Sequence, residues 1–360
     1  MNQSIQELIM ILLLSTAIVA FIIAIIMTPL IRKIALKYEV CARPNHRTVH
    51  QDSIPKLGGI GIFVAYLAGF ILILLTAGQQ FETLVREGII FLIGGSLILI
   101  VGIYDDIKGI HYYQKLVLQV IAAFIVIVSG YKISVIINPL GGIISLGIFS
   151  VPFTLLWIVG ITNAINLIDG LDGLAAGISL GATAVIIAIS LWFGNIASAF
   201  PAAILAGALL AFLFFNFNPA KIFLGDSGSL FIGFMLACFS INGTFRNGSA
   251  VAMLIPIIVL GIPITDTLLA FIRRLRKGVH PFVADREHTH HRLLNLGLSH
   301  KQVVLLMNGV SYSWGAIAFV IYTAHSQYSL LLLLFVFLTI LIGLKKLGFV
   351  QYFFLGGDKR

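Results

Sequence analysis

Apolar runs of about twenty residues recur along the whole chain, and they restrict its fold more than any other feature of the sequence. Hydrophobic residues make up 59% of the 360 residues and charged residues only 10%, whereas ordinary soluble domains carry about 25% charged residues. Such runs are long enough to cross a bilayer as helices, while outer-membrane strands would alternate polar and apolar residues in short segments. The sequence therefore predicts an all-α, polytopic integral membrane protein.

We predict about eleven transmembrane helices, or ten if the fifth and sixth segments, which only a short polar hinge separates, count as one. The predicted spans are 5–31, 57–77, 88–104, 113–130, 150–167, 171–193, 199–216, 226–242, 250–272, 303–324 and 328–344. No soluble stretch between them exceeds roughly 30 residues, which is too short for an independent core. Residues 1–360 are therefore predicted to form a single membrane domain.

The basic residues predict how these helices are oriented. With the N-terminus outside, only Arg86, Lys132 and Arg246 of the 23 Lys and Arg residues fall in outer loops, and the other 20 fall in inner loops. Cytoplasmic loops are rich in Lys and Arg, so the C-terminus is predicted in the cytoplasm. The net charge of +9 then reflects membrane topology and not a nucleic-acid partner. The cytoplasmic loops are predicted at 32–56, 105–115, 163–173, 216–228 and 273–302.

The same orientation gathers the acidic residues on the inner face of the membrane. Of the 14 Asp and Glu residues, all except Glu7, Glu82 and Glu87 lie on that side. Adjacent carboxylates such as Asp105 and Asp106 repel each other unless a cation or protons neutralise them. The pattern indicates a shared site for a divalent metal and phosphates, although an isolated Asp-Asp pair at a helix end is also typical of a helix cap.

The string Asn163-Ala-Ile-Asn166-Leu-Ile-Asp169-Gly-Leu-Asp172-Gly173 is the most specific in the chain. Its first three polar residues are spaced by three, which places them on one face if that turn is helical. The two Asp-Gly pairs predict sharp turns, where glycine permits close approach of a ligand to the backbone. Oxygen donors of this kind suit Mg²⁺. The alternative is a polar hinge between two helices.

A second glycine-rich string runs from Asn216 to Gly228 and contains Lys221 and Asp226. Asp226 is predicted at the N-terminus of the eighth helix, where backbone N–H groups can hold phosphate and the carboxylate can bind a metal. The alternative is that Asp226 only caps this helix.

Histidines and arginines cluster in the longest predicted loop, where Arg286 precedes the string His288-Thr-His290-His291-Arg292. Side chains of this kind bind anionic oxygens, and arginine can grip a phosphate with two hydrogen bonds. A zinc site and a solvated loop are the alternatives. The zinc interpretation has no neighbouring Cys and no HExxH spacing to support it.

Two further groups of residues have more ordinary interpretations. Asp266, near the inner end of the ninth predicted helix, is predicted to be a structural hydrogen-bonding residue. Arg43, Arg47, His50 and Lys56 form a basic loop, which lipid headgroup attraction explains and which can also bind phosphate.

These strings, together with Asp105-Asp106-Ile107-Lys108, resemble the polyprenyl-phosphate N-acetylhexosamine-1-phosphate transferases over roughly residues 25–310. The branch they resemble most is the bacterial undecaprenyl-phosphate N-acetylglucosamine (GlcNAc)-1-phosphate transferases, which initiate teichoic acid, O-antigen and related envelope glycans. The sister branch, the phospho-MurNAc-pentapeptide transferases, typically has three consecutive His followed by an acidic residue. The string from His288 to Arg292 differs from that pattern and favours the GlcNAc branch.

The resemblance implies a reaction in the plasma membrane, with the active site on its cytoplasmic face. UDP-GlcNAc and undecaprenyl phosphate would give undecaprenyl-diphospho-GlcNAc and UMP, with Mg²⁺ or Mn²⁺ as cofactor. It leaves open a homodimer, tolerance of UDP-GalNAc, and the choice between direct attack by the lipid phosphate and a two-step route through a phosphoryl-enzyme. An ion-coupled transporter is the rival from another class, but transporters place their carboxylates near the membrane midplane.

The resemblance also implies a role for individual residues of this chain. Asp226 and Asn166 would bind the metal, Asp105 and Asp106 would contact the metal or the lipid phosphate, and Asp169 and Asp172 would line the nucleotide site. Phe223 would stack on uracil. The remaining substrate-binding residues would be Lys108, Asn216, Arg286, His288, His290, His291 and Arg292.

Overall fold

The computed structural model describes residues 3–42, 53–76, 78, 81–137, 143–241, 254–278, 288–323 and 329–346. Thirteen α-helices occur in these ranges. They are α1 Gln3–Lys37, α2 Gly58–Thr76, α3 Glu82–Lys108, α4 Tyr112–Val128, α5 Ser150–Ile168, α6 Leu174–Trp192, α7 Ile196–Asn216, α8 Gly225–Ser240, α9 Leu254–Val259, α10 Gly261–Arg276, α11 Thr289–Asn295, α12 His300–Thr323 and α13 Ser329–Lys346.

Seven helices of the described part of the chain are long and apolar enough to cross a membrane. They are Glu7–Lys37, Gly58–Thr76, Glu82–Lys108, Gly147–Ile168, Leu174–Trp192, Ile196–Asn216 and His300–Ile321, and the shorter apolar helices are Tyr112–Val128, Gly225–Ser240 and Leu331–Gly343. The chain is therefore an all-α polytopic membrane protein, as the apolar runs predicted. The number of eleven spans and the orientation stay predictions.

Two short antiparallel ladders accompany the helices. β1 Cys41–Ala42 pairs with β2 Ile54–Pro55, directly before α2. β3 Val135–Ile137 pairs with β4 Ile143–Ser145, which a short 3-10 helix at Gly147–Phe149 connects to α5. Neither ladder was predicted from the sequence, because two or three residues are too few to show a strand periodicity.

Helix α8 is the buried centre of the bundle. Every residue from Ser227 to Ser240 is buried, and α8 packs against α2, α3 and α5. Gly59 of α2 and Gly102 of α3 lie directly on the backbone at the start of α8, and a Cβ on either glycine would overlap backbone atoms of Ser227 or Gly228. Helices α2 and α3 therefore converge on the first turn of α8.

The ninth predicted span differs from the structure. It was expected as one helix over 250–272, but α9 ends at Val259 and α10 begins at Gly261. Pro263 has no N–H to donate to the carbonyl of Val259, which would be its helical partner. The hydroxyl of Ser311 donates to that carbonyl instead, at 3.4 Å. The break is therefore encoded by a proline and compensated by a neighbouring helix.

Candidate active site

Three carboxylates meet where α3 ends and α8 begins; we call Asp105, Asp106 and Asp226 the acidic cluster. The sequence predicted the first two after the third helix, but α3 continues to Lys108, so both lie in its last turn. Asp106 accepts hydrogen bonds from the backbone N–H groups of Asp226 and Ser227, each at 3.0 Å. Its carboxylate thus takes two backbone donors of α8 that we had predicted as a phosphate site.

Lys115 holds the other two carboxylates of the cluster together. Its ammonium donates to Oδ2 of Asp105 at 2.8 Å and also to Oδ2 of Asp226. The second oxygen of Asp105 accepts the N–H of Ile110 at 3.0 Å. From the sequence, Lys115 was predicted only as a basic residue of a cytoplasmic loop. Its position one turn into α4, close after the Asp-Asp pair, was the available signal.

Asn166 joins α5 to the acidic cluster. Its amide nitrogen donates to Oδ1 of Asp226 at 3.0 Å and to the hydroxyl of Ser229 at 2.8 Å. Asn163, which was expected on the same face, instead exchanges hydrogen bonds with Gln119 of α4 at 2.6 and 3.3 Å. Only Asn166 of this pair therefore reaches the cluster, where it binds one oxygen of Asp226 and Lys115 binds the other.

Asp169 lies in the turn between α5 and α6, next to the acidic cluster. Burial raises the pKa of Asp169 well above its ordinary value, and the charges of Asp226, Asp106 and Asp172 raise it further. The nearby charge of Lys56 acts in the opposite direction. Carboxylates from three separate segments therefore act on one another electrostatically, which is the convergence that the sequence predicted.

Asp172 and Asn216 hold the two glycine-rich strings together. Oδ2 of Asp172 accepts the N–H of Ala220 at 3.0 Å and the amide of Asn218 at 3.1 Å. Asn216 is buried; its oxygen accepts the N–H of Gly173 and its nitrogen donates to the carbonyl of Ile222, both at 3.0 Å. These contacts fix the shape of the turn that leads to Phe223. Contact of either side chain with a substrate stays a prediction.

The turn ends on a strand-like contact with the segment before α2. The N–H of Phe223 donates to the carbonyl of Pro55 at 2.8 Å, and its own carbonyl accepts the N–H of Gly58 at 3.0 Å. Phe223 is partly exposed, and its stacking on uracil stays a prediction. Lys56 lies in the same segment and was interpreted only as part of a basic loop.

The histidine string forms the start of helix α11. Asp266 of α10 receives the N–H and the hydroxyl of Thr289, each at 2.7 Å, and its other oxygen contacts Nδ1 of His288 at 2.7 Å. The structural hydrogen-bonding role predicted for Asp266 is therefore confirmed. His290 is buried and stacks against His288 and His291, with ring centroids 5.7 and 4.2 Å away.

The histidine string also lies against the turn between α5 and α6. A Cβ added to Gly170 would lie 2.5 Å from Nε2 of His290. His300 of α12 accepts the N–H of Asp172 at 3.0 Å.

The remaining basic residues that were predicted to bind substrate lie apart from these contacts or outside the described residues. Arg292 is partly exposed in the last turn of α11. Arg286 lies outside the described residues, and Lys108 is exposed at the end of α3.

The stability of the protein should depend on pH because His290 is buried without a charge. Burial, and then the neighbouring His291, lower the pKa of His290 to about 3. An unfolded histidine takes up a proton near pH 6.5, so stability is lost as the pH falls below that value toward 3. We expect the free energy of unfolding to fall by about 2 kcal/mol between pH 7 and pH 5 because of this residue.

The variant His290→Gln tests this expectation in thermal and denaturant unfolding of the purified protein at pH 7 and pH 5. It should lose less stability than the wild type on acidification. His111→Gln, at the exposed histidine directly before α4, is the control and should keep the wild-type dependence. Equal losses in His290→Gln and the wild type would show that His290 is protonated in the folded protein.

A divalent cation fits the acidic cluster by the chemistry of its donors. Asp105, Asp226 and Asn166 supply carboxylate and amide oxygens. The ammonium of Lys115 binds both Asp105 and Asp226, so these two carboxylates already share one cation. In the described part of the chain, no three His, Cys, Asp or Glu residues are grouped as a ready metal site. Mg²⁺ usually takes only one or two carboxylates, with waters and substrate phosphates completing its shell.

Comparison with known proteins now adds to this geometry. Residues 88–244, which include the acidic cluster, match the family described as glycosyl transferase family 4. The chain is 36% identical to a Bacillus subtilis protein, covering 93% of both chains, named as a probable undecaprenyl-phosphate N-acetylglucosaminyl 1-phosphate transferase. The chain belongs to glycosyl transferase family 4.

Other relatives of the chain carry related names. A Mycolicibacterium smegmatis decaprenyl-phosphate N-acetylglucosaminephosphotransferase is 36% identical, over 83% of this chain and 79% of its own. An Escherichia coli undecaprenyl-phosphate alpha-N-acetylglucosaminyl 1-phosphate transferase is 28% identical, over 77% and 75%. These relatives are polyprenyl-phosphate GlcNAc-1-phosphate transferases, and they confirm the family that the motifs resembled.

Proposed function

We propose that this family member transfers GlcNAc-1-phosphate from UDP-GlcNAc to undecaprenyl phosphate, releasing UMP at the cytoplasmic face of a bacterial plasma membrane. The product would begin a cell-envelope glycan such as teichoic acid or O-antigen. The observation that supports the proposal most is the acidic cluster with Lys115, because it joins carboxylates and a cation where the end of α3 meets the start of α8. In the predicted orientation these helix ends face the cytoplasm at the membrane surface. A water-soluble nucleotide and a lipid-anchored phosphate can meet only at such a place.

The residues of the site supply positioning and charge, which dominate catalysis of phosphoryl transfer. An oxygen of the lipid phosphate attacks the β-phosphorus of UDP-GlcNAc, and the bond from that phosphorus to the UMP oxygen breaks. Lys115, which Asp105 holds in place, offsets the charge of the lipid phosphate, which attacks in its deprotonated form. Mg²⁺, held by Asp226, Asn166 and Asp105, would neutralise the diphosphate and the departing UMP.

Direct attack is favoured over a phosphoryl-enzyme by the hydrogen bonding of the acidic cluster. Both oxygens of Asp226 accept bonds, from Asn166 and Lys115. Both oxygens of Asp106 accept backbone N–H groups. A carboxylate that accepts several hydrogen bonds is stabilised as an anion and is a weaker nucleophile. Incubation with β-³²P-labelled UDP-GlcNAc and no lipid acceptor should therefore leave the protein unlabelled.

A panel of donors tests the proposed function. Purified protein in nanodiscs with undecaprenyl phosphate should release UMP from UDP-GlcNAc but not from UDP-MurNAc-pentapeptide. Chelation with EDTA should stop the release, and added Mg²⁺ should restore it. Release of UMP without lipid phosphate, or no release from any nucleotide sugar, would contradict the proposal.

Removal of the Asp172 carboxylate should affect donor binding more than catalysis. In Asp172→Ala the buried N–H of Ala220 loses its acceptor, which costs about 1–3 kcal/mol of stability. The turn that carries Phe223 then loosens, so we expect the KM for UDP-GlcNAc to rise with little change in kcat. Asn195→Ala is the control, because it removes an acceptor from Ser198 at the N-terminus of α7. It should lower stability and leave this KM unchanged; an unchanged KM in Asp172→Ala would contradict the positioning role.

A further inference from the structure

An apolar groove lies between α3 and α4 on the surface of the bundle. It has a volume of about 650 Å³, which is within the range of roughly 300–1,000 Å³ for small-molecule sites. Ile100 and Tyr104 of α3 form one wall, and Tyr113 and Val117 of α4 form the other. All four side chains are exposed, so the groove is open to the surrounding lipid.

One end of this groove adjoins the acidic cluster. Ile110 lines the groove, and its own N–H donates to Asp105 at 3.0 Å. Gln114, which also lines it, immediately precedes Lys115. A molecule that lies in the groove therefore has its end next to the carboxylate and ammonium that the proposed reaction uses. The groove extends from Tyr104 to Leu97, about 10 Å along α3.

A basic side chain lies beside the end of the groove at Tyr104. Lys108 is exposed, and its ammonium lies over the ring of Tyr104, 5.4 Å from the ring centroid. Apolar walls with a cation at one end complement an amphiphile that has an anionic head. The proximity to Asp105 and Lys115 favours an amphiphile that takes part in the reaction over an ordinary membrane lipid.

We propose that the groove between α3 and α4 binds the isoprenoid units of the lipid acceptor that lie nearest its phosphate. The phosphate lies between Lys108 and the acidic cluster, and the chain leaves the groove near Leu97 for the bilayer. This assignment rests on the proposed function, since it requires a polyprenyl phosphate as acceptor.

Filling the groove with a bulky side chain tests the proposal in steady-state kinetics. Val117→Trp and Ile100→Trp should each raise the KM for undecaprenyl phosphate about fivefold or more, because an isoprenoid contact of a few methylene groups is lost. The KM for UDP-GlcNAc should not change, which also shows that the variants fold. Val120→Trp in α4 and Ile93→Trp in α3 are matched controls, since both residues are exposed and lie outside the groove.

Photolabelling identifies the occupant without relying on any variant. A polyprenyl phosphate with a diazirine on its first isoprenoid units should label peptides from α3 and α4 of the wild-type protein. Excess undecaprenyl phosphate should prevent this labelling, and excess phosphatidylglycerol should not. Competition by phosphatidylglycerol alone would show that the groove holds an ordinary phospholipid and would overturn the proposal.

The groove assignment and the proposed function can be contradicted separately. If the wild-type protein transfers GlcNAc-1-phosphate but the groove variants keep the wild-type KM for the acceptor, the groove assignment is wrong and the proposed function stands. If the wild-type protein transfers nothing to undecaprenyl phosphate and the diazirine probe labels no peptide of α3 or α4, both are wrong.

Discussion

Replacing Asp226 with Asn should lower kcat by about 10³-fold, in line with the loss of one preorganised electrostatic group from an active site. Asp226 is the residue through which α8, Lys115 and Asn166 meet. The amide keeps the shape of the side chain and removes its negative charge, which the proposed Mg²⁺ site and Lys115 both require. The measurement is UMP release from UDP-GlcNAc in nanodiscs with saturating undecaprenyl phosphate and Mg²⁺.

The stability of the same variant separates chemistry from folding. Asp226 accepts hydrogen bonds from Lys115 and Asn166, but it also repels Asp105, Asp106 and Asp169. Asp226→Asn should therefore lose some thermal stability and still be fully folded at the assay temperature. Glu82→Gln, an exposed carboxylate at the opposite end of α3, is the control and should keep wild-type kcat and stability. An Asp226→Asn variant with kcat within about tenfold of the wild type would contradict the metal assignment.

Replacing Gly102 with Val should destabilise the protein by about 3 kcal/mol or more and abolish transfer, because overpacking against backbone cannot relax by moving a side chain. A Cβ at this position overlaps the backbone of Ser227, directly after Asp226. Either α3 moves away from α8, which separates Asp105 and Asp106 from Asp226, or the fold is lost. Thermal unfolding and UMP release of the same preparation provide the measurement.

A second glycine provides the comparison for this substitution. Gly160 lies within α5, and a Cβ placed there meets nothing within 4 Å. Gly160→Val introduces the same β-branched residue into a helix and should keep activity and most of the stability. Wild-type activity in Gly102→Val would show that the contact between α3 and α8 is looser than the structure has it.

Much of the architecture could be predicted from the sequence because the bilayer restricts it so strongly. Apolar runs gave the helical segments, and the glycine-aspartate strings gave the turn between α5 and α6 and the start of α8 near Asp226. The break between α9 and α10 was missed, since an apolar run continues through Pro263 and hydropathy does not register a lost backbone hydrogen bond.

The sequence predicted which side chains meet better than it predicted the partner of each. The convergence of Asp105, Asp106, Asp226 and Asn166 followed from the motifs. The roles within that set did not, because a carboxylate that binds backbone N–H groups and one that binds an ammonium look the same in a sequence. Lys115 was missed for the same reason, since nothing in the order of residues shows which basic side chain turns toward an acidic cluster.

The sequence by itself determined that this chain is a helical membrane protein, that its acidic residues concentrate near helix ends, and that its motifs match one family. These features can be read from the sequence because the hydrocarbon of a bilayer excludes charged side chains and unpaired backbone groups at every position. Each residue therefore shows by its type whether it can lie in the membrane. Only the tertiary structure decided that Asp106 accepts backbone N–H groups of α8 and that Lys115 bridges Asp105 and Asp226. It also showed the exposed apolar groove beside them. Those facts depend on distances between segments that are far apart in the chain. The close packing of glycines against the backbone of neighbouring helices sets these distances.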